Sequence, residues 1–253
     1  MQLKNLPTIT GRYWIAILAA SMCGANTGDF LARILHLGHS RGLLPLAVLF
    51  SLVLWAESRA KAPTQAYYWL AIIVLRTGAT NLADLGTHDL RLGYGAIEAG
   101  LTALLVATLL ADRARGPSAV PAATLFHWKR QRLPSTNAMY WIAMLIAGTL
   151  GTATGDFVAD VVGLGVGYGS IVLAAIFAVV LSISEIFGGM TKPWYWASIV
   201  AARTAGTTMG DFLASRHGLD LGLPLSTALT ACLLAGAVIL GREKRQPAYD
   251  GRP

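Results

Sequence analysis

Apolar stretches separated by short polar segments follow one another along almost the whole chain of 253 residues. Eight of these stretches are close to the roughly 20 residues with which a helix crosses about 30 Å of hydrocarbon. The pattern predicts an all-α polytopic membrane protein with eight transmembrane helices, of which the second is the shortest. The predicted spans are 13–35, 42–57, 67–87, 94–111, 139–160, 167–187, 194–214 and 221–240.

The composition supports a membrane location, because 55% of the residues are hydrophobic and only 13% are charged, which is too apolar for an ordinary soluble domain. The basic residues are unevenly placed: fourteen lie on the predicted side of both termini, four on the opposite side and two within spans. By the positive-inside rule, both termini face the cytoplasm of a bacterial inner membrane. The net charge of +7 then reflects topology, so we expect the lipid bilayer as a partner and no nucleic acid.

A motif of one tryptophan and one aspartate, 15 residues apart, occurs four times along the chain. Just before each aspartate lie two small residues, four positions apart, a spacing that lets neighbouring membrane helices approach closely. The tryptophan/aspartate pairs are Trp14/Asp29, Trp69/Asp84, Trp141/Asp156 and Trp196/Asp211, and the small pairs are Gly24/Gly28, Ala79/Ala83, Gly151/Gly155 and Gly206/Gly210.

The first two motifs map onto the last two with a constant offset of 127 residues, which predicts two pseudo-equivalent halves. Each half contains two repeats of two helices, so all four repeats enter the membrane in the same direction. Their aspartates then lie at one depth in the outer half of the bilayer, and their tryptophans anchor the helices at the cytoplasmic interface. The first half covers 1–116 (repeats 12–62 and 67–116), a cytoplasmic linker 117–138, the second half 139–245 (repeats 139–192 and 194–245), and a tail 246–253.

The repeats also share a Tyr-Trp opening, at Tyr13-Trp14, Tyr68-Trp69, Tyr140-Trp141 and Tyr195-Trp196, and three of them a Gly-Asp pair. With these features the chain resembles a bacterial membrane family built of four tandem two-helix repeats, each with a tryptophan, and filed as a repeat of unknown function. The second repeat departs from the pattern with Ala83-Asp84. The resemblance implies the architecture and a membrane location, and it implies no activity.

A carboxylate within an apolar helix is costly and is therefore a candidate functional group. Residues three and four positions before each aspartate, and four positions after it, share its helix face, and most of them carry oxygen or nitrogen. The pattern predicts an outward vestibule lined by polar groups above a hydrophobic constriction. The predicted binding residues are Asp29, Asp84, Asp156, Asp211, Asn26, Asn81, Thr80, Thr152 and Thr207, with His88, Asp160 and Glu98 as secondary candidates.

Two arginines, Arg76 and Arg203, each lie eight residues before an aspartate and near mid-membrane. We expect each to bridge to an aspartate or to backbone carbonyls of an adjacent repeat. Four carboxylates against two guanidinium groups leave about two negative charges, which suits a divalent cation or protons. A purely structural ion-pair network is the alternative interpretation of the same residues.

These features predict a transporter or channel for a cation, with a divalent metal ion such as Mn²⁺ bound directly by the four aspartates as the substrate. No cofactor is required, and the sequence contains no GxSxG, HExxH or Walker A motif, so we do not expect an enzyme. A homo-oligomer is compatible with the sequence. The rival hypotheses are a proton-coupled transporter of a small organic solute and a non-transporting membrane scaffold or assembly protein.

Overall fold

The computed structural model describes residues 3, 6–62, 64–114, 131–132 and 134–240. Most of the predicted linker 117–138 and the whole predicted tail 246–253 lie outside the described residues. The same holds for several basic residues on which the predicted topology depends, namely Lys4, Arg115, Lys129, Arg130, Arg242, Lys244, Arg245 and Arg252.

Within the described ranges the chain forms nine α-helices and one two-stranded ribbon, and every predicted span coincides with a helix. The strands β1 (Thr8–Ile9) and β2 (Gln131–Arg132) pair antiparallel, with Thr8 opposite Arg132. The helices are α1 (Gly11–Asp29), α2 (Gly38–Arg41), α3 (Leu43–Arg59), α4 (Gln65–Asp84), α5 (Tyr94–Ala114), α6 (Ala138–Asp156), α7 (Gly165–Ile186), α8 (Lys192–Ala214) and α9 (Gly222–Leu240).

Four helices, one from each repeat, form a closed inner ring in the order α1, α4, α6 and α8, in which α8 packs back onto α1. The other long helices surround this ring, and each packs chiefly on the inner helix of the following repeat. Thus α3 packs on α4, α5 on α6, α7 on α8, and α9 on α1. The repeats therefore interlock around one central axis.

The small residues before the aspartates lie where the inner helices touch, which confirms their predicted role in close packing. A Cβ atom at Gly24 would collide with the side chain of Arg76, and one at Gly206 would collide with Ser21. At Gly151 a Cβ would lie 2.5 Å from the Cβ of Arg203. Since no side chain fits at these three positions, glycine sets the distance between the inner helices.

The outer helices are apolar and yet exposed. In Gly38–Arg59, only 6% of the most apolar 18-residue stretch is buried within the protein. In Gly11–Ile34, which contains the inner helix α1, 67% of the corresponding stretch is buried. Surfaces this apolar and this extensive need a nonpolar environment. Six segments of the described chain are long and apolar enough to cross a membrane: Gly11–Ile34, Gly38–Arg59, Tyr94–Ala114, Ala138–Val161, Gly165–Ile186 and Gly222–Leu240. The protein is therefore a helical membrane protein with internal repeats.

The tryptophans of the repeats are buried, so the prediction that they serve as interface anchors is wrong. Trp14, Trp69, Trp141 and Trp196 are each only 5% or 6% exposed. Each indole packs on the tyrosine ring of the preceding repeat, with centroid distances of 5.6 to 6.1 Å. The aromatic rings thereby join neighbouring inner helices, and they do not lie at the lipid surface.

Candidate functional site

The four aspartates of the repeats lie around one cavity of about 580 Å³, at the end of the inner ring opposite the tyrosines. Asp84 is buried, and Asp29, Asp156 and Asp211 are half-buried. Parallel inner helices with equally spaced motifs bring the four side chains to the same height, as the sequence predicts.

Three of the inner helices change from α to π geometry immediately after their aspartate, in the segments Phe30–Ile34, Leu85–Asp89 and Phe157–Val161. Such π segments occur often at functional sites. The fourth inner helix continues as an α-helix to Ala214. The residues four positions after the aspartates all line the cavity: Arg33, His88, Asp160 and Ser215. Two of them, His88 and Asp160, are predicted secondary candidates.

Three predicted site residues do not line the cavity: Asn26, Asn81 and Glu98. A residue three positions before an aspartate is turned about 60° around the helix from it, which directs it toward the neighbouring helix. A Cβ atom added at Gly210 would lie 3.0 Å from Oδ1 of Asn26, and one added at Gly42 would lie 3.0 Å from Nδ2 of Asn81. Both amides, and Oε1 of Glu98, are buried without a hydrogen-bond partner among the residues that the structure describes.

The floor of the cavity is polar, so the predicted hydrophobic constriction directly beneath it is wrong. Thr80, Thr152 and Thr207 line the cavity, and the guanidinium group of Arg76 lies directly below them. Nη1 of Arg76 donates to the hydroxyls of Thr80 (2.9 Å) and Thr152 (2.6 Å), and Nη2 donates to that of Thr207. Threonines of three repeats thus hold one buried guanidinium group beneath the carboxylates.

The two buried arginines contact mainly neutral groups. Arg76 also donates to the carbonyl of Gly148 (3.4 Å) in the third repeat, which is one of the two kinds of partner predicted for it. Arg203 donates to the hydroxyl of Ser21 (3.3 Å) and to the sulfur of Met144 (3.4 Å). Among the described side chains, neither arginine has a carboxylate within 4.0 Å, so the predicted ion pairs with the aspartates are not formed.

The aspartates of the first half instead lie near other basic side chains. Asp29 pairs with Arg33 at 3.5 Å, and Asp84 lies 3.7 Å from His39 of the short helix α2. For Asp156 and Asp211, the described part of the chain offers no basic side chain within 4.0 Å. The two halves therefore differ in the basic neighbours of their aspartates, and the unpaired carboxylates belong to the second half.

The four aspartates do not form a compact metal shell. In the part of the chain that the structure describes, no group of three or more His, Cys, Asp or Glu side chains is close enough to hold one metal ion. The predicted set of direct ligands, Asp29, Asp84, Asp156 and Asp211, is thus not assembled in this conformation. The carboxylates surround a space that is larger than one bare ion.

A closed ring of tyrosine hydroxyls occupies the opposite end of the inner bundle, and the sequence analysis did not predict it. The four hydroxyls are joined by four hydrogen bonds: Tyr13–Tyr68 (2.9 Å), Tyr68–Tyr140 (2.8 Å), Tyr140–Tyr195 (2.9 Å) and Tyr195–Tyr13 (2.8 Å). The sequence signal was present, because these tyrosines open the four repeats at equivalent positions.

Comparison with known proteins identifies the repeats. Residues 12–62, 139–184 and 194–242 match the sequence profile described as Repeat of Unknown Function (DUF347). The chain belongs to the DUF347 family. No curated protein and no solved structure matches the chain. The second repeat is outside the matched DUF347 segments, yet α4 takes the same place in the inner ring as the inner helices of the other three repeats.

Proposed function

We propose that this DUF347 protein is a membrane transporter that binds a cation in the cavity between its four aspartates. The observation that carries the proposal is the pair Asp156 and Asp211, which face one cavity without a basic partner in the described residues. Carboxylates within a membrane protein need a counter-charge. Asp29 pairs with Arg33, and Asp84 has the basic neighbour His39, so we infer that a bound cation neutralises the other two.

The spacing of the acids favours a cation that keeps part of its hydration shell. A cavity of about 580 Å³ accommodates an ion with bound waters, and Mg²⁺-like ions retain several waters when carboxylates bind them. Hydroxyl and carboxylate oxygens, here Thr152 and Thr207 beside the two unpaired acids, favour hard ions such as Mn²⁺ or Mg²⁺. We therefore propose a hydrated divalent ion such as Mn²⁺ as the substrate.

The buried arginines favour a carrier over a channel. Arg76 bonds to groups of α4, α6 and α8, and Gly24 of α1 packs against its side chain, so it fills the centre of the inner ring. Fixed positive charges in a pore exclude cations. The cation therefore crosses by a rearrangement of the two halves around the site, as in other repeat-based transporters.

We further propose that all eight long helices cross the membrane, including α4 and α8, which are not among the six most apolar segments. Each is enclosed by other helices of the bundle, so it tolerates its arginine and threonines without contact with lipid. With both termini cytoplasmic, as the distribution of basic residues indicates, the aspartate cavity opens on the outer side of the inner membrane.

The cavity volume supports a second candidate, a small organic cation, because pockets for small molecules measure about 300–1,000 Å³. Proton-coupled transport of such a solute would use the same carboxylates. The lining residues include no aromatic side chain among those described, which is why we place this candidate second.

Binding of Mn²⁺ to purified protein in detergent, measured by calorimetry, tests the proposal. We expect Asp156→Asn and Asp211→Asn to lower the affinity at least tenfold. Asp112→Asn is the matched control, since that carboxylate bonds to Lys192 (3.2 Å) on another part of the bundle. Cellular metal content in a deletion strain carrying each variant provides the second measurement. Unaltered Mn²⁺ binding and metal content in both cavity variants would contradict cation transport by this site, and binding of an organic cation alone would favour the second candidate.

A further inference from the structure

The tyrosine ring is built so that every repeat holds two neighbours. Each hydroxyl makes two hydrogen bonds, so every tyrosine can donate its proton to one neighbour and accept a proton from the other. The four tyrosines are between 0% and 3% exposed. The ring lies on the central axis of the inner bundle, and it leaves no hydroxyl proton free to be donated to anything that arrives from the cavity.

The ring lies at the closed end of the axis. Each tyrosine precedes its aspartate by 16 residues, which places the hydroxyl ring about 24 Å below the carboxylates at about 1.5 Å per residue. The guanidinium group of Arg203 lies between the two levels, where Nη2 donates to the sulfur of Met144, one helical turn above Tyr140. Any path from the cavity to the other membrane surface along this axis therefore meets the ring last.

We propose that the ring of Tyr13, Tyr68, Tyr140 and Tyr195 is the gate that closes the transport path at the end opposite the aspartate cavity. The inference rests on the proposed transport function, because a gate needs a path. Two of the four hydrogen bonds, Tyr13–Tyr195 and Tyr68–Tyr140, join the two halves, and the other two lie within a half. Separation of the halves opens the ring by breaking only the first two.

The surroundings of Arg203 favour such an opening. Nε of Arg203 is buried without a hydrogen-bond partner among the described residues, and one of its other donors faces only the thioether of Met144. A buried guanidinium group with so few acceptors destabilises the closed state. Water that enters through an open ring supplies the missing acceptors, and water also replaces the broken bonds between phenols.

The test is the accessibility of Ser21, which is 0% exposed and accepts a hydrogen bond from Arg203 above the ring. Both native cysteines are first replaced, as Cys23→Ala and Cys232→Ser, and Ser21→Cys is introduced. Oriented membrane vesicles are then treated, from either side, with an anionic thiol reagent that does not cross the bilayer. The double variant Tyr13→Phe/Tyr140→Phe removes all four hydrogen bonds of the ring. We expect it to accelerate labelling from the tyrosine side at least tenfold.

Tyr67→Phe is the matched control, because Tyr67 directly precedes a ring tyrosine and is outside the ring. We expect no acceleration in this variant and none for labelling from the aspartate side. Equal labelling rates in control and double variant would overturn the gate, and so would equal acceleration from both sides, which indicates general loosening. If the double variant does not fold, Tyr13→Phe and Tyr195→Phe, which each remove two bonds, are judged by the same comparison. Labelling requires no substrate, so failure of cation binding leaves this result separately readable.

Discussion

Arg76 and Arg203 occupy equivalent positions in their repeats, but their guanidinium groups point toward opposite ends of the inner bundle. Arg76 reaches threonines four residues closer to the aspartates, whereas Arg203 reaches Met144, four residues further from them. The other two inner helices carry Ser21 and Gly148 at the same level. These small residues leave room for two large side chains in one layer, provided that the two diverge.

The direction of Arg76 predicts a specific effect on cation affinity. Arg76→Gln removes a positive charge below the carboxylates while retaining hydrogen-bond donors for the threonines. Eight residues at about 1.5 Å each separate the levels of Arg76 and Asp84 by about 12 Å. At this distance a unit positive charge repels a divalent ion by about 3 kcal/mol at an effective dielectric constant of about 20, so we expect Mn²⁺ to bind at least tenfold more tightly in calorimetry. Arg203→Gln is the control, because its charge points away from the cavity and its removal should change affinity far less. Equal effects of the two substitutions would contradict the structural difference between the arginines.

Arg33 lies at the rim of the cavity, where we expect the loss of its charge to have a smaller effect on Mn²⁺ affinity. Its side chain is 60% exposed where it pairs with Asp29, so solvent and salt screen its charge. Arg33→Gln should raise Mn²⁺ affinity about twofold at low ionic strength. The difference should vanish near 1 M salt, where the Debye length is about 3 Å. A gain that persists at 1 M salt would mean that Arg33 acts through structure and not through its charge.

The close packing at the glycines between inner helices predicts that replacing such a glycine by alanine lowers stability, whereas the same change on an outer helix does not. Gly24→Ala places a methyl group against the side chain of Arg76, and overpacking of this kind costs about 1–3 kcal/mol. We expect a lower Tm in detergent, followed by tryptophan fluorescence. Gly100→Ala on the outer helix α5 meets nothing within 4 Å and should leave Tm unchanged or slightly raised. Equal tolerance at both positions would show that the inner helices can move apart freely.

The exposed faces of the outer helices predict sensitivity to charge at mid-membrane. Ile176 of α7 is 48% exposed, and an arginine at the centre of a spanning helix costs about 2.5–3.5 kcal/mol in membrane insertion. Ile176→Arg should therefore reduce the amount of inserted protein severalfold, measured by extraction of membranes at high pH. Leu219→Arg is the control, since Leu219 is 54% exposed in the connection between α8 and α9. Normal insertion of the Ile176 variant would argue that α7 does not contact lipid.

We expect the two ends of α4 to lie on opposite sides of the membrane. In the cysteine-free background, Lys61→Cys precedes α4 and Leu92→Cys follows it. If α4 spans the bilayer, an impermeant thiol reagent labels the two positions from opposite sides of oriented vesicles. Labelling of both from one side would contradict eight crossings and would remove the argument that the four aspartates lie at one depth.

The sequence predicts the helices from the length of its apolar stretches, and it predicts the convergence of the aspartates from their spacing. Equal intervals in parallel repeats put Asp29, Asp84, Asp156 and Asp211 at one height whatever their neighbours are. The partners of the buried charges do not follow from spacing. The direction of Arg76 depends on three threonines from three helices, and the basic neighbour of Asp84 is His39, which the first repeat contributes through the short helix α2.

The tyrosine ring could have been predicted by the reasoning that was applied to the aspartates. Tyr13, Tyr68, Tyr140 and Tyr195 share one position in four parallel repeats, so they too must meet at one height. The adjacent tryptophans predict a lipid interface, and that interpretation assigns no role to the tyrosines. Burial of the indoles against neighbouring tyrosines shows that aromatic residues at a predicted helix start can also belong to the core.

The packing of α9 on α1 has a consequence for biosynthesis. Helix α1 leaves the ribosome well before α9 and acquires this outer neighbour only when α9 has been made. Until that moment the circle of helices is open, and the flank of α1 needs lipid, the insertion machinery or a chaperone to cover it. A chain that terminates before α9 can insert most of its helices and still leave α1 uncovered, so we expect quality-control proteases to remove such products selectively.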